Sequence, residues 1–299
     1  MARIAIVGPG AIGGVMAAWL GGVGGHEMTL CSRRPLAGLI VETPSRVIEI
    51  HPAVLTDPKQ ARPVDWILVA VKAYDIEKAA AWLAELGASG APVAVLQNGV
   101  EHHERFAGFL KADRIVPVIV ECPAERGEPT RIRQRRKADL MVPDCPRGRE
   151  FAALFAETEV AVALTSDFKS AAWRKLCFNA AGVISALVLE PAGVMRDEPI
   201  GEAARQLVRE CVAVGRAEGA ILPDELVDGV VQRYRNSPPD SLNSIHADRM
   251  AGRPMEIDAR NGVIVRLGKK HGIATPGNQM AVALLEAMSR QRRFAPRQA

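Results

Sequence analysis

Lys175 and Asn179 stand four residues apart in the segment Trp173-Arg174-Lys175-Leu176-Cys177-Phe178-Asn179-Ala180, so a helix here presents both on one face. An ammonium on such a face is equipped to donate a proton and to stabilise negative charge growing on a nearby oxygen. Trp173, Leu176, Ala180, Val183 and Leu187 mark a different, apolar face that reads as core. On spacing alone, an ordinary solvated lysine is the better reading of Lys175. Two further candidates lie downstream. Ser244 opens or caps a helix, and Glu256 follows Pro254 at the start of another. Glu256 and Arg260 are again four apart, for which a surface ion pair is the plain reading.

A second kind of chemistry is written near the start. Gly8-Pro9-Gly10-Ala11-Ile12-Gly13 matches G-x-G-x-x-G, directly after an apolar run and directly before a helical pattern. Gly8 permits the tight turn, Gly10 lets the backbone approach a pyrophosphate, and Gly13 lets helix and strand pack closely. The helix N-terminus then faces the phosphate charge. A glycine-rich turn without a ligand is the competing reading. An NAD site usually holds the ribose hydroxyls with Asp or Glu at the end of the second strand. Here Ser32-Arg33-Arg34 occupies that place. A guanidinium pairs with a 2′-phosphate where a carboxylate repels it, so Arg33 points to NADPH over NADH. Ordinary loop charge is the alternative for these arginines. Lys72 and Asn98 fall at the carboxyl ends of two expected strands, where open α/β sheets bind ligands. Asn98-Gly99 reads as a common turn pair as well.

The elements that must position these residues follow from periodicity. Apolar runs at 3–7, 28–31, 66–71, 93–96, 115–120 and 160–164 read as strands, with a helix over 12–20. Pro117 marks its strand as an edge or a bulge. Strands alternating with helices imply a parallel sheet covered on both faces. The arginine-rich stretch 125–142 reads as an exposed strand pair. Beyond residue 166 the strand signals stop, and helices are expected over 170–189, 198–219, 223–235, 241–251, 255–271 and 277–291. The expectation is therefore an α/β chain with a dinucleotide-binding domain over 1–166 and an all-α domain over 167–299. The polar tail from Arg292 is expected to fray.

G-P-G-A-I-G, V-K-A, Q-N-G-V, W-R-K-L-x-x-N and P-M-E-I-D-A-R-N-G occur in this order at suitable separations. Together they resemble the ketopantoate reductase (2-dehydropantoate 2-reductase) family over nearly the whole chain. The resemblance implies a Rossmann-type domain followed by a helical domain like the C-terminal one of 6-phosphogluconate dehydrogenase. It implies NADPH-dependent reduction of a small 2-oxo acid, ketopantoate first, in pantothenate biosynthesis. Lys175 would protonate the carbonyl oxygen, and Glu256 would lie by substrate and nicotinamide. Asn98 would lie between cofactor and substrate, Asn179 and Ser244 would contact substrate, and Lys72 would contact cofactor. There are departures. Val183 and Gly193 stand where the family often has asparagine, both Ser241 and Asn243 precede Ser244, and 116–124 is poor in threonine. Fewer amide donors favour a different or less hydroxylated 2-oxo acid, which keeps a paralogous reductase as the alternative. A sensor that binds NADP(H) without catalysis is the reading from another class, and Lys175 with Glu256 argues against it.

Bulk properties narrow the setting. The 299 residues suffice for two cores, which must be built mainly from Ala, Val, Leu and Ile because only 4% are aromatic. A net charge of +4 suits an anionic cofactor and substrate but is too weak to argue for nucleic acid. The basic stretch lacks interleaved aromatics for base stacking. Five widely spaced cysteines without C-x-x-C speak against a disulfide framework or a zinc site and for the reducing cytoplasm. The uncharged run 4–25 resembles a membrane segment only until its glycines and Pro9 are counted. No metal and no membrane partner are expected, and a homodimer is an assembly this reading allows.

Overall fold

The computed structural model describes residues 1–291; the tail from Arg292 lies outside the described residues. The chain separates into two compact units. One spans Met1–Gln97 and Glu101–Phe168, and the other takes Asn98–Val100 together with Lys169 onward.

The strands of the first unit are β1 (Arg3–Val7), β2 (Glu27–Cys31), β3 (Leu39–Glu42), β4 (Val47–Ile50), β5 (Ala53–Leu55), β6 (Trp66–Val69), β7 (Val93–Val95), β8 (Ile115–Pro117), β9 (Ile119–Glu121), β10 (Ala124–Arg126), β11 (Arg131–Gln134), β12 (Asp139–Pro143) and β13 (Ala161–Thr165). Helices α1 (Ala11–Ala17), α2 (Ile76–Leu86), α3 (His102–Phe106) and α4 (Pro146–Ala153) are interspersed. The main sheet is parallel, with the order β5-β2-β1-β6-β7-β8. The order reverses between β1 and β6, as in doubly wound dinucleotide-binding sheets. After the exposed Arg3, the central strand β1 is apolar from Ile4 to Val7 because both its faces are covered. Ile4 and Ile6 pack with Val15 and Met16 of α1, whereas Ala5 and Val7 pack with Ile76 and Leu83 of α2.

Pro117 ends β8, the edge strand, where a missing N–H costs little. The run expected as one strand over 115–120 is two. The chain leaves the main sheet at Val118, and β9 pairs instead with β12, which also pairs with β13. The strands β3, β4 and β5 are short and partly exposed, and periodicity does not reveal them. The expected exposed pair over 125–142 also needs correction. β10 and β11 do pair, but β11 continues into a four-stranded sheet with β3 and β4. Ile132 and Gln134 of β11 are buried, and Gln134 Oε1 accepts a hydrogen bond from Trp19 Nε1 at 3.0 Å. Strand alternation leaves only Arg131 and Arg133 on the outside. The helix expected over 12–20 is α1, which widens into a π-helical turn over Ala18–Val23.

The second unit contains α5 (Phe168–Ala181), α6 (Val183–Val188), α7 (Glu198–Ala217), α8 (Leu226–Asn236), α9 (Ser244–Met250), α10 (Val263–His271) and α11 (Pro276–Gln291). Its core is aliphatic, with Trp173, Leu176, Ala180 and Val183 buried as expected. Cys177 and Cys211 are free thiols in that core, their sulfurs 3.4 Å apart. The helix expected over 255–271 begins as a π-helical turn over Asp258–Gly262 before α10. The helix expected over 170–189 is broken at Gly182. There the α5 carbonyls bond to distant side chains: Phe178 O to Tyr234 Oη (3.1 Å), Asn179 O to Arg260 Nη2 (2.9 Å) and Ala180 O to Asn261 Nδ2 (3.2 Å). Gly182 O accepts from Asn243 Nδ2 at 2.8 Å. These donors satisfy carbonyls that a helix end leaves open. A side chain at Gly182 would begin 2.3 Å from the Tyr234 hydroxyl, so only glycine fits.

Buried Glu210 of α7 holds the start of α11. Its carboxylate accepts from the backbone N–H groups of Gly277 and Asn278, both at 2.9 Å, and from Asn278 Nδ2 at 2.7 Å. Glu210→Ala should destabilise the protein by about 3 kcal/mol, since several charge-assisted bonds vanish and buried donors lose their acceptor. A urea melt should show the lowered midpoint, and an unchanged midpoint would deny Glu210 this role. Among the described residues no helix is long and apolar enough to cross a membrane.

Candidate active site

In the first unit the site residues gather at the carboxyl ends of β1, β2 and β6. Gly8 leaves β1 with φ +90°, and its N–H bonds to Cys31 O at 3.1 Å. A Cβ on Gly8 would lie 2.6 Å from Val71 Cγ1, and one on Gly13 would lie 2.4 Å from Gly8 O. The fold therefore needs both glycines. Gly10 differs: it caps α1, has φ −74°, and a Cβ there would meet nothing within 4 Å. No neighbour among the described residues requires glycine at that position, and a dinucleotide phosphate would fit the open space beside it. Pro9 is buried, and Ala11 and Ile12 form the first turn of α1.

Arg33 is exposed just beyond β2, and Lys72 is half-buried just beyond β6. Gln97, at the exit of β7, donates from Nε2 to Val71 O at 2.8 Å and ties two strand exits together. Sequence reading misses Arg126. Its Nη1 donates to Pro9 O at 2.5 Å, within the glycine loop. Burial lowers its pKa from the usual range, with no carboxylate contributing to offset the shift. No local pattern separates Arg126 from the other arginines of this basic stretch. The glycine loop, the open face of Gly10 and the cations Arg33 and Lys72 fit an anionic dinucleotide.

In the second unit Lys175 and Asn179 lie on successive turns of α5, both half-buried. The Asn98-Gly99 pair is more than a turn. Gly99 has φ +108°, and a Cβ there would come 2.9 Å from Ala259 O. This close approach brings Asn98 Nδ2 to Glu256 Oε2 at 3.1 Å. Glu256 is only 6% exposed and Arg260 2%, so a surface ion pair is the wrong reading of these two. Arg260 turns to Asn179 O and to Ser244 Oγ, the latter at 3.4 Å. Ser244 opens α9, but the cap is Asn243, whose Oδ1 accepts from His246 N at 3.0 Å. Hydrogen bonds thus join Asn98 to Glu256, and Asn179 and Ser244 to Arg260 of the same segment. Sequence reading misses Arg260, Tyr234 and Asn243, because their partners are remote in the chain.

Burial lowers the pKa of the Arg260 guanidinium, and the nearby Tyr234, Glu256 and Asp248 oppose that shift. Burial pushes the Tyr234 hydroxyl up to about 12, so it stays a neutral donor. The two departures from the family pattern have structural counterparts. Val183 lies fully within the aliphatic core, and a Cβ on Gly193 would press on Pro239 O at 3.0 Å. Among the described residues no group of three or more His, Cys, Asp or Glu side chains is placed to hold a metal ion.

The sequence matches the family described as Ketopantoate reductase PanE/ApbA over residues 4–147, and the C-terminal part of that family over 167–289. It is 53% identical to the 2-dehydropantoate 2-reductase of Caulobacter vibrioides, over 96% of this chain and 99% of that protein. It is 41% identical to the 2-dehydropantoate 2-reductase of Mycobacterium tuberculosis, over 96% and 97% respectively. The crystal structure of a PanE/ApbA family ketopantoate reductase from Ralstonia eutropha JMP134 superposes with a TM-score of 0.88 at 32% identity, covering 97% of this chain and 99% of that one. With both of its units matched and close relatives spanning nearly its full length, this chain belongs to the ketopantoate reductase family.

Proposed function

We propose that this protein reduces 2-dehydropantoate to pantoate with NADPH, with Lys175 as the proton donor. The observation that carries the reading is the near-full-length match to 2-dehydropantoate 2-reductases in a chain that retains Lys175, Asn179, Asn98 and Glu256. Gly8, Pro9, Gly10, Ala11, Ile12 and Gly13 would hold the pyrophosphate, Arg33 the 2′-phosphate, and Lys72 a further cofactor contact. When bound, NADPH supplies the hydride. Negative charge then builds on the carbonyl oxygen of the 2-oxo acid, and the Lys175 ammonium stabilises it and hands over a proton. Glu256 would lie by substrate and nicotinamide, and its hydrogen bond from Asn98 keeps the carboxylate in place. Asn179 and Ser244 contact the substrate. The same reading places the enzyme in the cytoplasm, in pantothenate biosynthesis, as a homodimer.

Absorbance loss at the reduced nicotinamide band, followed with ketopantoate and a set of branched 2-oxo acids, tests the assignment. Ketopantoate should give the highest kcat/KM. A paralogous reductase of another 2-oxo acid is the second reading, favoured by apolar Val183 and by Gly193. It wins if ketopantoate is no better than simple branched acids. Cofactor choice has its own test. Arg33→Ala should raise the Kd for NADPH about 10- to 100-fold, the effect of losing a charge-assisted bond, and leave NADH unchanged. Equal weakening of both cofactors would remove Arg33 from the 2′-phosphate.

A further inference from the structure

Arg260 is 2% exposed, and a guanidinium is costly to bury unless its donors are used. One donor, Nη2, holds Asn179 O at 2.9 Å, and another, Nη1, reaches Ser244 Oγ at 3.4 Å. Its Nε is buried and has no hydrogen-bond partner among the described residues. Arg260 is thus a fixed cation bonded to both residues assigned to the substrate, yet the reaction as described gives it nothing to do.

Guanidinium only donates, whereas a serine hydroxyl has one proton and two lone pairs. Ser244 Oγ must therefore accept from Arg260, and its own proton points elsewhere. Capping α9 does not occupy Ser244, because Asn243 performs that task. Ser244 is also exposed on its unit. A hydroxyl that accepts from a cation becomes a stronger donor, because successive hydrogen bonds polarise one another. The same guanidinium pins the Asn179 backbone, one turn after Lys175 on α5.

We propose that Arg260 is a positioning residue for carboxylate recognition: it turns the Ser244 hydroxyl outward as a polarised donor to the carboxylate of the 2-oxo acid and holds Asn179 beside Lys175. This rests on the reading of Ser244 and Asn179 as substrate contacts. It also gives the acid a recognition element that does not depend on the amide side chains absent at Val183 and Gly193. A charge-backed hydroxyl takes over from neutral amide donors.

Steady-state kinetics of the full chain with NADPH test this in wild type, Ser244→Ala, Arg260→Met, Arg260→Lys and the double variant Ser244→Ala/Arg260→Met. Ketopantoate is compared with its neutral amide. NADPH affinity is read by nicotinamide fluorescence and folding by thermal melting. Arg260→Met should raise KM for ketopantoate about 10- to 100-fold, as for a lost charge-assisted bond, with kcat changed less than about threefold and NADPH affinity intact. The preference for acid over amide should fall by a similar factor. Arg260→Lys should restore part of that preference, and the double variant should be no worse than Arg260→Met alone. An unchanged KM in a normally melting Arg260→Met protein overturns the proposal, as do additive effects of the two substitutions. If Arg260→Met fails to fold, Arg260→Lys combined with Ser244→Ala takes its place, and additivity there is equally fatal. A wild type that oxidises NADPH with no 2-oxo acid counts against the proposed function instead. The comparison is then made by calorimetric titration of ketopantoate into the NADPH-loaded variants, where equal affinities overturn the role of Arg260.

Discussion

Replacing Lys175 by alanine is expected to lower kcat about a thousandfold while NADPH binds within twofold of wild type. General-acid catalysis by a placed side chain contributes about 10²–10⁴-fold, and the same ammonium also offsets the charge that develops on oxygen. Both contributions are lost together. The helix itself should persist, because alanine is the best helix former and Lys175 is only half-buried on α5. Adding a small primary amine to the variant should recover part of the rate, which a purely structural lysine would not permit. Single-turnover absorbance with saturating NADPH separates chemistry from binding. A kcat within tenfold of wild type would remove Lys175 from the proton transfer.

The second large effect concerns two glycines two residues apart in the sequence but opposite in physical role. Gly8→Ala forces a side chain onto a residue at φ +90° and sets its Cβ 2.6 Å from Val71 Cγ1 and 2.9 Å from Val71 N. Strain and overpacking each cost about 1–3 kcal/mol, so a loss of about 3 kcal/mol is expected. The melting temperature should fall by roughly 6–12 °C, and NADPH binding should weaken with it. Gly10→Ala meets nothing within 4 Å and has an ordinary φ, so its melting temperature should not fall. Its cost should appear only with cofactor, as a Kd raised at least tenfold, because the methyl group takes the space the pyrophosphate needs. Thermal melts with and without NADPH read both outcomes. A Gly10→Ala protein that binds NADPH normally would refute the cradle at that residue.

Much of the first unit was legible because its signals are local. A strand buried on both faces must be apolar at every buried position, and β6, β7 and β1 from Ile4 onward are. The glycine loop declares itself through strand, turn and helix in immediate succession. The short strands β3, β4 and β5 escaped because three or four residues are too few for an alternation to stand out in the sequence, and their order is set by pairing with partners elsewhere in the chain. The break at Gly182 escaped for a related reason. Its local sequence continues a helix, but Tyr234, Asn243, Arg260 and Asn261 arrive to take the carbonyls.

The sequence by itself determined the family, the cofactor loop and the helix face that carries Lys175 and Asn179, because each depends on residue type at short, regular spacing. Only the tertiary structure decided that Asn98 meets Glu256, that Gly99 is needed to pack against Ala259, and that Arg260 is a buried clamp and not half of a surface pair. Hydrogen bonds and burial depend on which distant segments the fold brings together, and spacing along the chain does not carry that information.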